Sequence, residues 1–211
     1  MPQDSVIFDN PVFTLLRPDH TTSIPRVLAS SVGQVVSADG NYSIVNDDVT
    51  YSTNMIYDGD TIELAADSRL SFMVDGHQAY IVGPASVHIS IDGDGYRFTM
   101  IDGEFLEVFS SRNPAGSSLT VQMRDIILAH NAHDTTMKVQ LSADASGDTI
   151  VKNYADSVVV ARVDDVTDMK DLAPETQLTI APSTSLASAT EAKFSLTDIA
   201  FVSDSSSVVN E

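Results

Sequence analysis

Between Val27 and Val163, apolar residues recur at every second position in short runs that Gly, Asn and Asp interrupt. In SRLSFMV, Leu70, Phe72 and Val74 fall on one face. In SVHISI the apolar set is Val87, Ile89 and Ile91, which leaves His88 and Ser90 outside. Period-2 alternation of this kind is the pattern of a half-buried strand. The pattern continues through Phe98, Met100 and Phe105, with Glu104 and Glu107 interleaved. Val27–Val36 reads as a strand pair or as one strand bulged at Gly33. After the loop at 110–118, further β segments follow in LTVQM, DIILAH, TMKVQLS, DTIVKNY and DSVVVARV, with turns at Asn131–Thr135 and Ala143–Asp148. No segment from 27 to 163 sustains a 3.6-residue apolar period, so the chain is expected to be all-β with little helix.

The turns carry a rhythm of their own. Asp-Gly occurs at Asp39-Gly40, Asp58-Gly59, Asp75-Gly76, Asp92-Gly93 and Asp102-Gly103. The first four of these are spaced by roughly 17 to 19 residues, enough for two strands and their turns. That period fits an irregular β-solenoid, and turns at this density also fit a β-sandwich of short strands. His77, beside Gly76, is expected at a turn.

The flanks have a different texture. Residues 1–26 hold Pro2, Pro11, Pro18 and Pro25, which oppose helix and central strand alike, and read as an arm. Residues 27–163 form the β domain. Residues 164–202 read as a β-containing extension, with a helical turn expected around Val166–Leu172, and 203–211 as a flexible tail.

Composition narrows the function classes. Thirty acidic residues against eleven Lys and Arg give a net charge of −19, a field that repels phosphate backbones, so nucleic acid is not an expected partner. The acidity suits solubility outside the cell, divalent-cation sites or steering toward a basic partner, and many of the aspartates sit beside Gly as turn residues. The absence of Cys removes disulfides, thiolate zinc sites and Cys nucleophiles. No run approaches the roughly 20 apolar residues of a membrane span, and neither leader nor anchor is visible in the sequence.

Candidate chemistry is sparse. Asp92 and Asp94, separated by Gly93, are the candidate Ca²⁺ ligands, since hard oxygens two apart among glycines can wrap that ion. Position twelve of an EF-hand starting at Asp92 would be Gly103, and the flanks are strands, so a hairpin turn is the favoured reading. His130, His133 and Asp134 form an H-x-x-H-D cluster with metal-ligand chemistry. Zinc requires a third or fourth ligand, and a solvated turn is favoured there too. No G-x-S-x-G elbow is present, and no catalytic residue is assigned. Paired carboxylates for glycoside hydrolysis remain open, although without Trp an aromatic sugar platform is hard to build.

The order of features over 33–163 resembles the FecR-like domain, a bacterial periplasmic or cell-surface β module. The matching pieces are Gly33-Gln34-Val35, Asp58-Gly59-Asp60-Thr61-Ile62, Ser68-Arg69-Leu70-Ser71-Phe72, Asp75-Gly76, Gly83-Pro84-Ala85-Ser86-Val87 and Ile101-Asp102-Gly103-Glu104-Phe105. Two departures stand beside them. No Gly lies near His133–Thr136, and Asp156 replaces the family's closing Gly. The resemblance implies a non-catalytic, extracytoplasmic interaction module that contacts another envelope protein or a surface polymer. No cofactor is expected, apart from Ca²⁺ should Asp92 and Asp94 bind it. The alternative from a different class is a structural subunit of a surface layer or extracellular filament, a homo-oligomer. A carboxylate-dependent hydrolase is the third reading.

Overall fold

The computed structural model describes residues 30–111, 116–130 and 135–194. The proline-containing arm and the tail beyond 194 lie outside the described residues, as do 112–115 and 131–134. Alternating residues and positive-φ turns break the chain into β1 (Gly33–Asp39), β2 (Tyr42–Asn46), β3 (Val49–Tyr51), β4 (Met55–Ile56), β5 (Thr61–Leu64), β6 (Arg69–Val74), β7 (His77–Val82), β8 (Ala85–Asp92) and β9 (Gly95–Asp102). The second half supplies β10 (Phe105–Ser110), β11 (Leu119–Met123), β12 (Ile126–His130), β13 (Met137–Ala143), β14 (Thr149–Asn153), β15 (Val158–Arg162), β16 (Met169–Leu172), β17 (Thr176–Ile180) and β18 (Thr190–Lys193). One 3₁₀ turn, Leu186–Ser188, is the helical element among the described residues. No helix there is long and apolar enough to cross a membrane.

The strands form two open nine-stranded sheets, ordered β18-β17-β14-β13-β10-β7-β6-β1-β4 and β16-β15-β12-β11-β9-β8-β5-β2-β3. Hairpins are laid down alternately on one sheet and the other, so the two layers grow together. A single return strand, β10, interrupts this alternation in the first sheet, and β11 therefore lies parallel to β9 while the other pairings are antiparallel. The layers meet over one core, to which Phe72 and Phe98 contribute an edge-to-face ring contact, with centroids 5.1 Å apart, from opposite sheets. Burying such side chains at about 25 cal/mol per Å² is the driving term for this architecture. Leu172, Leu178, Ile180 and Leu186 lie in the same cluster, so the chain beyond 164 continues both sheets.

The 17-residue step has a structural meaning. From Asp58 to Asp75 to Asp92 the chain runs out along one strand and back along the next, and each Asp-Gly turn falls at the same end of the sandwich. There Asp58 Oδ1 accepts the Ile91 N–H at 2.7 Å, and Gly59 N–H donates to Ile89 O at 2.9 Å. Asp39-Gly40 and Asp102-Gly103 lie at the opposite end, where β1 and β9 finish. Gly40, Gly59, Gly76, Gly93 and Gly103 of these turns have positive φ, the conformation that Gly adopts without the Cβ clash other residues suffer, whereas Gly95 of Asp94-Gly95 opens β9 in extended backbone.

Several expectations are corrected. Ile91 is 51% exposed, because the strand alternation runs past the end of the opposing sheet. Phe105 points outward and is half-buried, while Leu106 and Val108 fill the core. The bulge in β1 falls between Val35 and Ser37. At Gly33 the requirement is closeness: a Cβ there would lie 2.2 Å from the Met73 carbonyl oxygen. The segment around Val166–Leu172 forms a turn and then β16, in place of a helical turn. His77 opens β7 and is buried.

Candidate functional site

Of the residues singled out from the sequence, the topology brings Asp92, Asp94 and His130 to one end of the sandwich, where His77 also lies. Strands start and stop there at the β6–β7 turn, the β8–β9 turn, the end of β10, the start of β11 and the end of β12. An open concavity of about 470 Å³ sits among them, lined by Asp75, Ile91, Gly93, Asp94, Gly95, Tyr96, Gly116 and Ser117.

A chain of hydrogen bonds stands behind its wall. Ser117 Oγ lies 2.6 Å from Asp75 Oδ2 and 2.9 Å from His77 Nε2. His77 Nδ1 lies 2.8 Å from Ser110 Oγ, and Ser110 Oγ lies 3.1 Å from His130 Nε2. His130 Nδ1 is 3.4 Å from Thr135 Oγ1. The directions follow from the Asp75 end. A carboxylate only accepts, so the Ser117 hydroxyl donates to it and must itself accept from His77 Nε2–H. Burial holds the His77 imidazole below its usual pKa of 6.5, against the raising influence of Asp75 and Ser117, so the ring is neutral near pH 7. Its Nδ1 therefore accepts from Ser110 O–H, and Ser110 accepts from His130 Nε2–H.

This polarity bears on chemistry. In a nucleophilic Ser-His pair the hydroxyl donates to the imidazole, whereas here the Ser117 proton goes to Asp75. Ser110, whose hydroxyl does face an accepting nitrogen, is 1% exposed. Asp75 and Asp94 line the same open concavity. Tyr96 packs edge-on to His77 at 6.2 Å. Its phenol is pushed above 10.0 by burial and then by the Asp75 and Asp58 charges, so it presents a neutral hydroxyl.

The candidate cation ligands take other partners. Asp92 Oδ2 accepts from Arg97 Nε at 3.0 Å and Nη2 at 2.5 Å, and Asp94 Oδ1 lies 3.5 Å from Ser118 Oγ. The two flank Gly93 in the β8–β9 hairpin turn. His130 stands at the end of β12 with its ring in the chain above, and His133 and Asp134 lie outside the described residues. No group of three or more His, Asp or Glu able to hold a metal occurs among the described residues. Sequence reasoning missed His77, Ser110 and Ser117. Ser110 continues the inward alternation of Leu106 and Val108, and a polar residue at that position was the available signal.

The fold and this end define an all-β, two-sheet protein with a polar, hydrogen-bonded concavity. No family model matches the chain, and no curated protein is similar to it. Two crystal structures, each described as a "putative anti-sigma factor" from Parabacteroides distasonis, are similar over 63% of it, at 12% identity with TM-score 0.49 and at 11% with TM-score 0.48. The chain spans about 59% of the length of those proteins.

Proposed function

We propose that this chain is a non-catalytic, extracytoplasmic interaction module of the FecR-like type that contacts another envelope protein or a surface polymer through the end carrying Asp75, Asp94 and Tyr96. The observation that carries the reading is the polarity of the Asp75–Ser117–His77–Ser110 chain. Each of these groups is committed to its neighbour, which builds a fixed wall with hydroxyl and carboxylate edges and leaves no activated nucleophile. An open concavity with such a rim suits recognition of a surface more than enclosure of a small substrate. A photo-crosslinking residue placed at Asp94 is expected to give a discrete adduct in the producing cell. The same residue at Asp102, exposed at the opposite end, is expected to give none. Identical patterns from the two positions would remove the reading.

The open sheet edges favour a second reading, a structural subunit of a surface layer or filament. All four residues of the edge strand β18 are exposed, and an edge of this kind can pair with another chain. Light scattering with and without millimolar Ca²⁺ decides it, since a persistent monomer under both conditions excludes the filament.

A further inference from the structure

Trp is absent from the chain, yet the first sheet gathers aromatic rings on its outer face. Along β10, Phe105, Glu107 and Phe109 alternate with the buried Leu106, Val108 and Ser110, so the two rings stand about 7 Å to either side of the carboxylate. Tyr80 lies opposite Glu107 on β7 and meets Phe105 edge-to-face, with centroids 6.1 Å apart. On the other side the row continues through Gln140 on β13, Lys152 on β14 and Gln177 on β17. It spans roughly 20 Å over five neighbouring strands. The amides in it are oriented. Tyr154 O–H donates to Gln140 Oε1 at 2.7 Å, which leaves the Gln140 NH₂ as a donor. Gln177 Nε2 donates to Thr179 Oγ1 at 3.4 Å, which leaves the Gln177 carbonyl oxygen as an acceptor. Burial and then the Glu107 charge raise the Tyr154 phenol above 10.0, so that hydroxyl keeps its proton. Lys138 Nζ lies 5.6 Å from the centroid of the same ring. The Glu107 carboxylate takes no hydrogen-bond or ion partner among the described residues.

Charge separates this face from the rest of the molecule. Its five strands hold one acidic residue, Glu107, beside Lys138 and Lys152, in a chain whose net charge is −19. That total repels a polyanion, and it leaves an uncharged polymer unaffected. The side chains on the face match such a polymer. The C–H side of a pyranose ring packs on an aromatic ring, whose face is the negative pole of its quadrupole. A carboxylate with both oxygens available accepts from two neighbouring sugar hydroxyls, and Gln140, Lys152 and Gln177 add donors and a further acceptor along the row. We propose that the outer face of the first sheet, centred on Glu107 between Phe105 and Phe109, binds an uncharged polysaccharide lying across the strands. This face is distinct from the Asp75 end, and the inference does not rest on the reading of that end.

The test is affinity electrophoresis of the full chain in native gels that contain a neutral β-glucan, a galactomannan or an arabinoxylan, with polygalacturonate as the charged comparison. At least one neutral polymer is expected to retard the protein, and polygalacturonate is expected to leave its mobility unchanged. Glu107→Gln keeps the shape of the side chain and is expected to weaken binding about tenfold, as the loss of a charge-assisted hydrogen bond does. Phe109→Ala, at a position 40% exposed, is expected to weaken it comparably. Thr99→Ala, on the outer face of the second sheet, is expected to leave binding in place. Mobility that none of the three neutral polymers changes overturns the proposal, and so does retardation by polygalacturonate alone. Retardation that persists undiminished in both Glu107→Gln and Phe109→Ala overturns it too. A dimer in light scattering that Phe109→Ala dissolves would assign the face to a second copy of the chain and overturn it as well.

Discussion

Arg162 offers the sharpest test of how the far end of the sandwich is held. Its side chain is 5% exposed, and its guanidinium bonds Asp125, the Thr184 carbonyl and, at 3.2 Å, the Ala181 carbonyl, with Asp168 4.0 Å from Nε. Asp168 in turn accepts the Leu186 N–H at 3.0 Å and the Ser185 hydroxyl at 3.0 Å. One planar cation thus ties β15 to the 181–186 segment that caps the core. Arg162→Met preserves the aliphatic volume and removes the fork. Asp125 is 40% exposed and recovers its hydration, and the Ala181 carbonyl keeps the Thr184 hydroxyl at 2.8 Å, so most of the loss comes from the Thr184 carbonyl without a donor and from Asp168 without its cation. At about 1 kcal/mol each, the cost is about 2 kcal/mol. Arg162→Lys keeps the charge but cannot reach all partners in the plane, and is expected to recover about half. Urea unfolding at pH 7 with an unchanged slope measures both. The surface control is Arg97→Met, whose partner Asp92 is 44% exposed and whose loss is expected to stay below about 1 kcal/mol. A loss for Arg162→Met no larger than for Arg97→Met would refute the clamp.

Three further outcomes follow from the geometry. Gly95→Ala would place a Cβ 2.1 Å from Ser118 Oγ and 2.3 Å from the Ser118 carbonyl oxygen, forcing the β9–β11 junction apart at about 2 kcal/mol. Gly93→Ala meets nothing within 4 Å and carries only the strain of φ +65, about 1 kcal/mol, and thermal melting distinguishes the two. Phe72→Ala empties the ring contact at the core centre and is expected to cost about 3–5 kcal/mol in urea unfolding. Stability is also expected to depend on pH through His77, whose folded pKa lies below 6.5. The unfolded chain takes up the proton first, so the contribution is complete above 6.5 and is lost as pH falls from 6.5 through the folded value. Asp144 and Asp165, held below 3.8 chiefly by the Ser146 and Thr167 hydroxyls, contribute stability above 3.8 that disappears as pH falls further. Denaturation curves in which His77→Gln leaves the limb just below pH 6.5 unchanged would contradict the first of these assignments.

Local alternation and turn chemistry determined the class of this protein. Leu70, Phe72 and Val74 could face only one way in a strand with a period of two, and the Asp-Gly pairs mark backbone that turns with positive φ. Those are properties of a few adjacent residues. Alternation could not show where an opposing sheet ends, which is why Ile91 carries the inward phase and yet stands in solvent. Nor could it fix the phase in FLEVF, where Phe105 and Leu106 are both apolar and the pairing with β7 and β13 chose Leu106. The site lay further out of reach. His77, Ser110, Ser117 and His130 share no local pattern, and each reads alone as a turn or strand residue. They meet because alternate hairpins return to one end of two stacked sheets, and because burial there leaves a polar side chain no partner except another polar side chain. The sequence by itself determined the strands and their turns. Only the tertiary structure decided which turns would be neighbours, and so which hydroxyl two imidazoles would share.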